Sequence, residues 1–164
     1  MAKVKKTEEI NVEETKVEEV KTKELPYFNA MGRRKTATAR ARLYPFTATV
    51  EIAGRKLERG DIYVNNIAAD KYFNGPVAKE FLAELYRTTN SANRFITTVI
   101  VEGSGTTGQL GATGLAIARA LVKVDPKFKT TLRKKGYMTR DPRSREREKP
   151  GLMGARKQKS SPKR

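Results

Sequence analysis

Cysteine and histidine are both absent from the 164 residues of this chain. Without cysteine there are no disulfides, thiol nucleophiles or thiolate metal sites, and without histidine the commonest general base and metal ligand near neutral pH is missing. Much enzyme chemistry is thereby excluded. Long apolar runs are missing too: none approaches the roughly 18 residues of a membrane span. Residues 1–25 hold no apolar block resembling a secretory signal, and with seven Glu and no Arg they are unlike a mitochondrial or chloroplast transit peptide. The expectation is a soluble, cytoplasmic protein. Hydrophobic residues make up only 37% of the chain, below the roughly 45–50% of globular proteins on a count that includes Gly. One domain with a modest core and unstructured ends is expected.

Positive charge is what the chain has in excess, with 35 Lys and Arg against 18 Asp and Glu, a formal +17. So much charge of one sign repels itself in a compact state unless a polyanion neutralises it, so nucleic acid is the first partner to consider. Its distribution divides the chain into three. Residues 1–25 alternate 6 Lys with 7 Glu and carry too few apolar side chains to anchor them, which predicts a disordered extension, helical at most around 13–23. Residues 26–135 contain the apolar patterning of a globular unit. Residues 136–164 lack an apolar period, contain Pro142, Pro150 and Pro162, and are dense in Arg and Lys. Such a segment cannot offset its chain entropy by burying apolar surface, so it reads as an extended basic arm that orders on a polyanion.

In the middle unit, Ala37, Ala39, Ala41 and Leu43 alternate with Thr36, Thr38, Arg40 and Arg42, the period of a half-buried strand. The small Ala residues would let a helix pack close. Thr47–Ile52 repeats the alternation and Gly54 offers a turn, suggesting an antiparallel pair. Pro76 suits a first helical turn, followed by Val77, Phe81, Leu82 and Leu85 at helical spacing. Phe95–Val101 is rich in β-branched residues and reads as a central strand buried on both faces. A helix follows whose stripe is Leu110, Gly114, Ile117, Leu121 and Val124, with Arg119 and Lys123 off it, and a short helix is predicted over 126–134, stopped by Gly136.

Gly103, Gly105 and Gly108 fit G-x-G-x-x-G between a strand and a helix, but a dinucleotide site also needs a second parallel strand ending in an acid, and Pro126 directly after Asp125 leaves no room for one. A Walker loop is equally incomplete, because Gln109 and Leu110 stand where Lys and Ser/Thr must reach phosphate and magnesium. The turn can still hold a nucleic-acid phosphate, or serve only as a flexible connection. The acids of the middle unit, Glu51, Glu58, Asp61, Asp70, Glu80, Glu84, Glu102 and Asp125, form no paired-carboxylate motif, and the one-turn spacing of Glu80 and Glu84 marks a solvated helix face. Gly32-Arg33-Arg34-Lys35-Thr36 runs into the strand bearing Arg40 and Arg42, a basic stripe suited to phosphate and ribose contacts; a charge-protected sheet edge is the plainer reading.

Residues 30–36 and 39–43, then Val64-Asn65 and Tyr72-Phe73, then 103–109 with Ala118-Arg119-Ala120-Leu121, and finally 139–143, Glu146-Arg147, Lys149, Gly151, Ala155-Arg156 and Lys163-Arg164 resemble, in that order, the family of the ninth protein of the small ribosomal subunit in its bacterial form. In that comparison 30–43 looks like an opening strand. The resemblance runs from about Tyr27 to Arg164. It implies an α+β fold, a small mainly antiparallel sheet with helices packed on it in two layers, plus the long basic arm. It implies binding to small-subunit ribosomal RNA in the head through Arg33, Arg34, Lys35, Arg40, Arg42, Arg119, Arg140, Arg143, Arg147, Lys149 and Arg156. The end of the arm, Lys163 and Arg164, would contact tRNA in the peptidyl site, and neighbouring head proteins would be partners. No catalysis, cofactor, metal, membrane or homo-oligomer is implied. The chain departs from the family at Ser160-Ser161-Pro162, where an aromatic residue precedes Ser-Lys-Arg in relatives, at Glu148, more often basic, and at Ser104, elsewhere Gly. On the residues alone, a nucleotide-dependent enzyme with a glycine-rich phosphate loop and a free nucleic-acid chaperone or DNA compactor remain as other classes.

Overall fold

A computed structural model describes residues 27–45, 51–52 and 55–162. The expectations for the N-terminal extension, for 47–50 and for Gly54 lie outside the described residues. In chain order the elements are β1 (Phe28–Arg34), β2 (Ala37–Pro45), β3 (Glu51–Ile52), β4 (Arg55–Lys56), β5 (Ile62–Val64), β6 (Ile67–Ala68), α1 (Ala69–Tyr72), α2 (Pro76–Thr88), β7 (Phe95–Glu102), α3 (Thr106–Val124) and α4 (Phe128–Lys134). The main sheet has the order β1-β2-β7-β5-β6, and β3 and β4 pair separately. Every ladder is antiparallel except β5 with β7, which are parallel and joined through α1 and α2. The α+β class with helices on a small, mainly antiparallel sheet is therefore what the chain adopts.

The core begins with side-chain size. Ala37, Ala39 and Ala41 on β2 are buried, as are Ala112, Ala116 and Ala120 on α3. Two surfaces of methyl groups let the helix backbone approach the sheet closely. On β1 the approach is closer still: a Cβ on Gly32 would overlap the Ala112 carbonyl oxygen and lie 2.6 Å from the Ala116 nitrogen. Leu43, Val64, Leu85, Val99, Ile117, Leu121 and Leu132 fill the remaining space. Ten of the 19 residues of α3 are buried, so the helix is covered well beyond the single stripe its sequence suggests.

Four expectations are corrected. β2 does not pair with the 47–52 segment: its edges are taken by β1, in register from Phe28↔Leu43 to Arg34↔Ala37, and by β7, from Thr38↔Glu102 to Pro45↔Phe95. Residues 30–43 are accordingly a hairpin rather than one strand, turned at Lys35, whose φ is 52°. The inner face of β1 is small (Ala30, Gly32), so its alternation carries little hydrophobic signal. Val77 is not core but 78% exposed, because α2 turns Ala78, Leu82, Leu85 and Tyr86 inward instead. Finally, β7 is central but covered on both faces only at its start: Leu57 packs on Ile96 with Tyr44 and Tyr63, whereas Ile100 is 47% exposed.

Gly32→Ala is expected to lower unfolding free energy by about 3 kcal/mol, since the added methyl meets backbone that cannot rotate away. Denaturant titration checks this, and an unchanged midpoint would show that α3 can shift off β1.

Candidate nucleic-acid interface

In an antiparallel ladder directly opposed residues share a face, so the registers define the side of the sheet turned away from α3. Its rows are Arg33–Thr38–Glu102, Met31–Arg40–Ile100 and Asn29–Arg42–Thr98. Arg33, Arg40 and Arg42 are exposed there, with Glu102 as the acid of the same rows. The Arg42 guanidinium lies 5.2 Å from the centre of the Tyr27 ring, which in turn sits 5.6 Å from Tyr44. Lys35 is exposed at the hairpin tip. Three exposed arginines with aromatic and hydroxyl neighbours on the face away from α3 give planar donors for phosphate and surfaces for ribose or base.

The free edge of β1 is covered by α3 side chains. Arg119 Nη1 donates to the Met31 carbonyl at 2.8 Å, and Lys123 Nζ donates to Asn29 Oδ1 at 3.3 Å. A cation on an unpaired strand edge both satisfies a carbonyl and discourages strand addition. Arg34, by contrast, points to the opposite side from its neighbour Arg33. It is half-buried against Gly111 of α3, where a Cβ would lie 2.7 Å from its Nη1, and it donates to Asp141 Oδ2 at 3.1 Å.

Residues 140–149 have no regular secondary structure, and 150–156 form a turn. Within that turn Leu152 N donates to Lys149 O at 3.2 Å and Met153 N to Lys157 O at 2.8 Å. Arg156 grips Glu146 with two donors, Nε to Oε2 at 3.0 Å and Nη2 to Oε1, closing a loop around a cleft of about 470 Å³ lined by Glu146, Arg147, Lys149 and Arg156. Arg145 pairs with Glu148 at 3.2 Å. The exposed Arg140, Arg143, Arg147, Lys149 and Arg156 all face solvent on this segment. Lys163 and Arg164 lie outside the described residues.

The root of the segment is fastened to the globular part by groups whose role the sequence did not signal. Lys135 Nζ donates to Glu84 Oε1 at 2.8 Å, and the Tyr137 ring packs edge-on to Phe81 at 5.8 Å. The Lys135 and Tyr137 hydrogen bonds hold the Glu84 carboxyl below its ordinary range, while burial, aided by Glu84, pushes the Tyr137 hydroxyl up to about 12. Glu84 is thus not merely part of a solvated face: it binds the start of the arm. Sequence spacing shows only its neighbour Glu80, which pairs with Arg87 at 2.5 Å.

The first carbonyl of the glycine-rich turn is tied back by a side chain of α3. Gln109 Nε2 donates to Gly103 O at 3.2 Å, Tyr72 Oη donates to Gln109 Oε1 at 3.0 Å, and Asn65 spans to β7 by accepting from Val101 N at 2.9 Å and donating to Val101 O at 3.0 Å. This network explains Asn65, Tyr72 and Gln109 without a ligand. After α3 the chain passes through Asp125 and Pro126 into α4, with no second parallel strand. Among the described residues no cluster of acids is arranged to hold a metal, and no helix is long and apolar enough to cross a membrane.

The Arg143 guanidinium and backbone N–H, with Arg34 beside them, hold the Asp141 carboxyl well below the usual carboxylate range. A group whose folded pKa is depressed contributes stability above its unfolded pKa and loses it as pH falls through the folded one. The Asp141 contacts are therefore expected to persist down to about pH 4 and to fail only below it. Carboxyl-carbon NMR titration of Asp141 checks this, and a midpoint at or above about 4 would contradict the pairing.

An arginine-bearing sheet face with a basic segment fastened beside it has the features of a scaffold for a polyanion. Residues 32–164 match the family described as ribosomal protein S9/S16. The chain belongs to that family, whose members are structural, non-enzymatic proteins of the small ribosomal subunit that bind ribosomal RNA and other ribosomal proteins.

Proposed function

We propose that the protein holds ribosomal RNA of the small-subunit head on two cationic sets at once, the sheet face and the arm, and that the arm continues to tRNA in the peptidyl site. The observation that carries this reading is the Arg34–Asp141 contact, which sets the hairpin tip beside the arm root and so joins the two sets. Residues 26–135 act as the globular RNA-binding unit and 136–164 as the arm, in the cytoplasm as part of the ribosome. Arg33, Lys35, Arg40 and Arg42 meet phosphates from the sheet side, and Arg119 does so at the β1 edge. Arg140, Arg143, Arg147, Lys149 and Arg156 meet them from the arm, while Lys163 and Arg164 reach the tRNA. Neighbouring head proteins complete the surroundings, and no homo-oligomer is required.

Each phosphate neutralised releases condensed counterions, so binding weakens steeply with salt. The arm acids are already matched to arginines, which limits the repulsion they offer to incoming phosphate. Arg40→Gln and Arg42→Gln are each expected to reduce the slope of log affinity against log salt for small-subunit ribosomal RNA by about 0.9, with thermal unfolding unchanged. Equal slopes for wild type and both variants would remove the sheet face from the interface. Deleting Lys163 and Arg164 is expected to leave subunit incorporation intact while weakening tRNA in the peptidyl site; filter binding to purified subunits measures the second and sedimentation the first. Stoichiometric retention on small subunits after a moderate-salt wash separates this reading from a free nucleic-acid chaperone, which would wash off.

A further inference from the structure

Arg34 belongs to the most basic run of the hairpin, yet its placement differs from that of every other arginine in the proposed interface. Its side chain lies on the α3 side, only 28% exposed, along the groove left by Gly111. Its Nε is buried without a hydrogen-bond partner, and Asp141 engages the guanidinium through Nη2 alone. Phosphate binding would require the cation to leave this slot, or a phosphate to enter a cleft of about 270 Å³ that Asp141 itself lines. A carboxylate lining that cleft disfavours an anion there.

Asp141 is correspondingly busy. Besides Arg34 it accepts from Arg143 four times: backbone N–H at 3.1 Å, Nε at 3.0 Å to each oxygen, and Nη2 at 2.7 Å. Pro142 lies between them, fixing its own φ and restraining Asp141 to extended backbone. A carboxylate that accepts from the backbone two residues on forms a closed local turn. Residues 141–143 are thus a local bracket, and beyond the packing of Tyr137 and Met138 it is tied to the core by the Arg34 guanidinium.

We propose that Arg34 and Asp141 form a joint that fixes the direction in which the arm leaves the core, so that Arg34 is a positioning residue for RNA binding and does not itself contact phosphate. Removing either partner frees the bracket downstream of Tyr137 and Met138, the last residues before it that pack against the core. The RNA then meets an arm that must be oriented during binding, and affinity falls without any loss of phosphate contacts.

Because the chain has no cysteine, a pair of nitroxides can be placed on the full protein through the double substitution Thr107→Cys and Ser144→Cys, both sites exposed. Electron–electron distance measurement on the RNA-free protein is expected to give a narrow distribution, broadened by Asp141→Asn and by Arg34→Gln, with no further broadening in the double variant. An unchanged distribution in Asp141→Asn overturns the joint; this variant sits at a part-exposed site and keeps the test decisive if Arg34→Gln does not fold. In RNA binding, Arg34→Gln is expected to lower affinity several-fold at every salt concentration while leaving the salt slope at its wild-type value. A slope reduced as much as in Arg40→Gln would make Arg34 a phosphate ligand and overturn the proposal. The salt arm rests on the sheet-face reading above, whereas the distance arm does not use RNA: a normal slope in Arg40→Gln with broadened distances in Asp141→Asn would sink that reading and leave the joint standing.

Discussion

The closeness of α3 to the β1–β2 hairpin governs the rest of this molecule. Gly32 and the alanines of β2 and α3 remove side-chain bulk from the contact, so helix backbone rests almost on strand backbone and the interior is built from many short-range methyl contacts. A strand has two faces, and spending one on alanine leaves the other for arginine. The cationic rows at Arg33, Arg40 and Arg42 are therefore the geometric complement of the small-residue face. Register couples them: a slip of one residue in the hairpin would bury the arginines and expose the alanines.

The same closeness shapes the arm. Gly111 stands one turn before Leu115 on α3 and leaves a slot rather than a side chain, and Arg34 lies in it and reaches Asp141. Glu84 of α2 holds Lys135 and Tyr137 just upstream. The arm thus starts from two fixed points on the packed layer. Beyond them its charge is arranged locally, each acid matched by an arginine and the surplus turned outward. Isolated exposed ion pairs of this kind contribute little to stability. Their value is in shaping a strongly positive segment without a core.

Strict alternation over 36–43 made β2 and its buried alanines legible, and helical spacing did the same for α2 and α3. The partner of β2 was not legible. Strand pairing depends on which hydrogen-bonding edges meet, and edges leave no trace in side-chain periodicity. β1 carries little signal because glycine and alanine line its inner face, while Thr47–Ile52 alternates more visibly. Val77 and Ile100 are apolar in type, but the phase of α2 and the extent of the covering layer leave them in solvent. Asn65, Tyr72 and Gln109 form one polar network across three elements, which no local spacing could reveal.

What the sequence settled by itself was chemical: no thiol or imidazole, a large positive surplus, its concentration toward the C-terminus, and the ordered motifs that identify the family. Those properties add residue by residue and survive any arrangement of the chain. What only the tertiary structure decided was direction. Arg33 and Arg34 are adjacent and identical in type, yet one faces open solvent with Arg40 and Arg42 and the other lies against α3 and clasps Asp141. Successive side chains on a strand point to opposite faces, and only the packing of a helix on one of them makes the two arginines different.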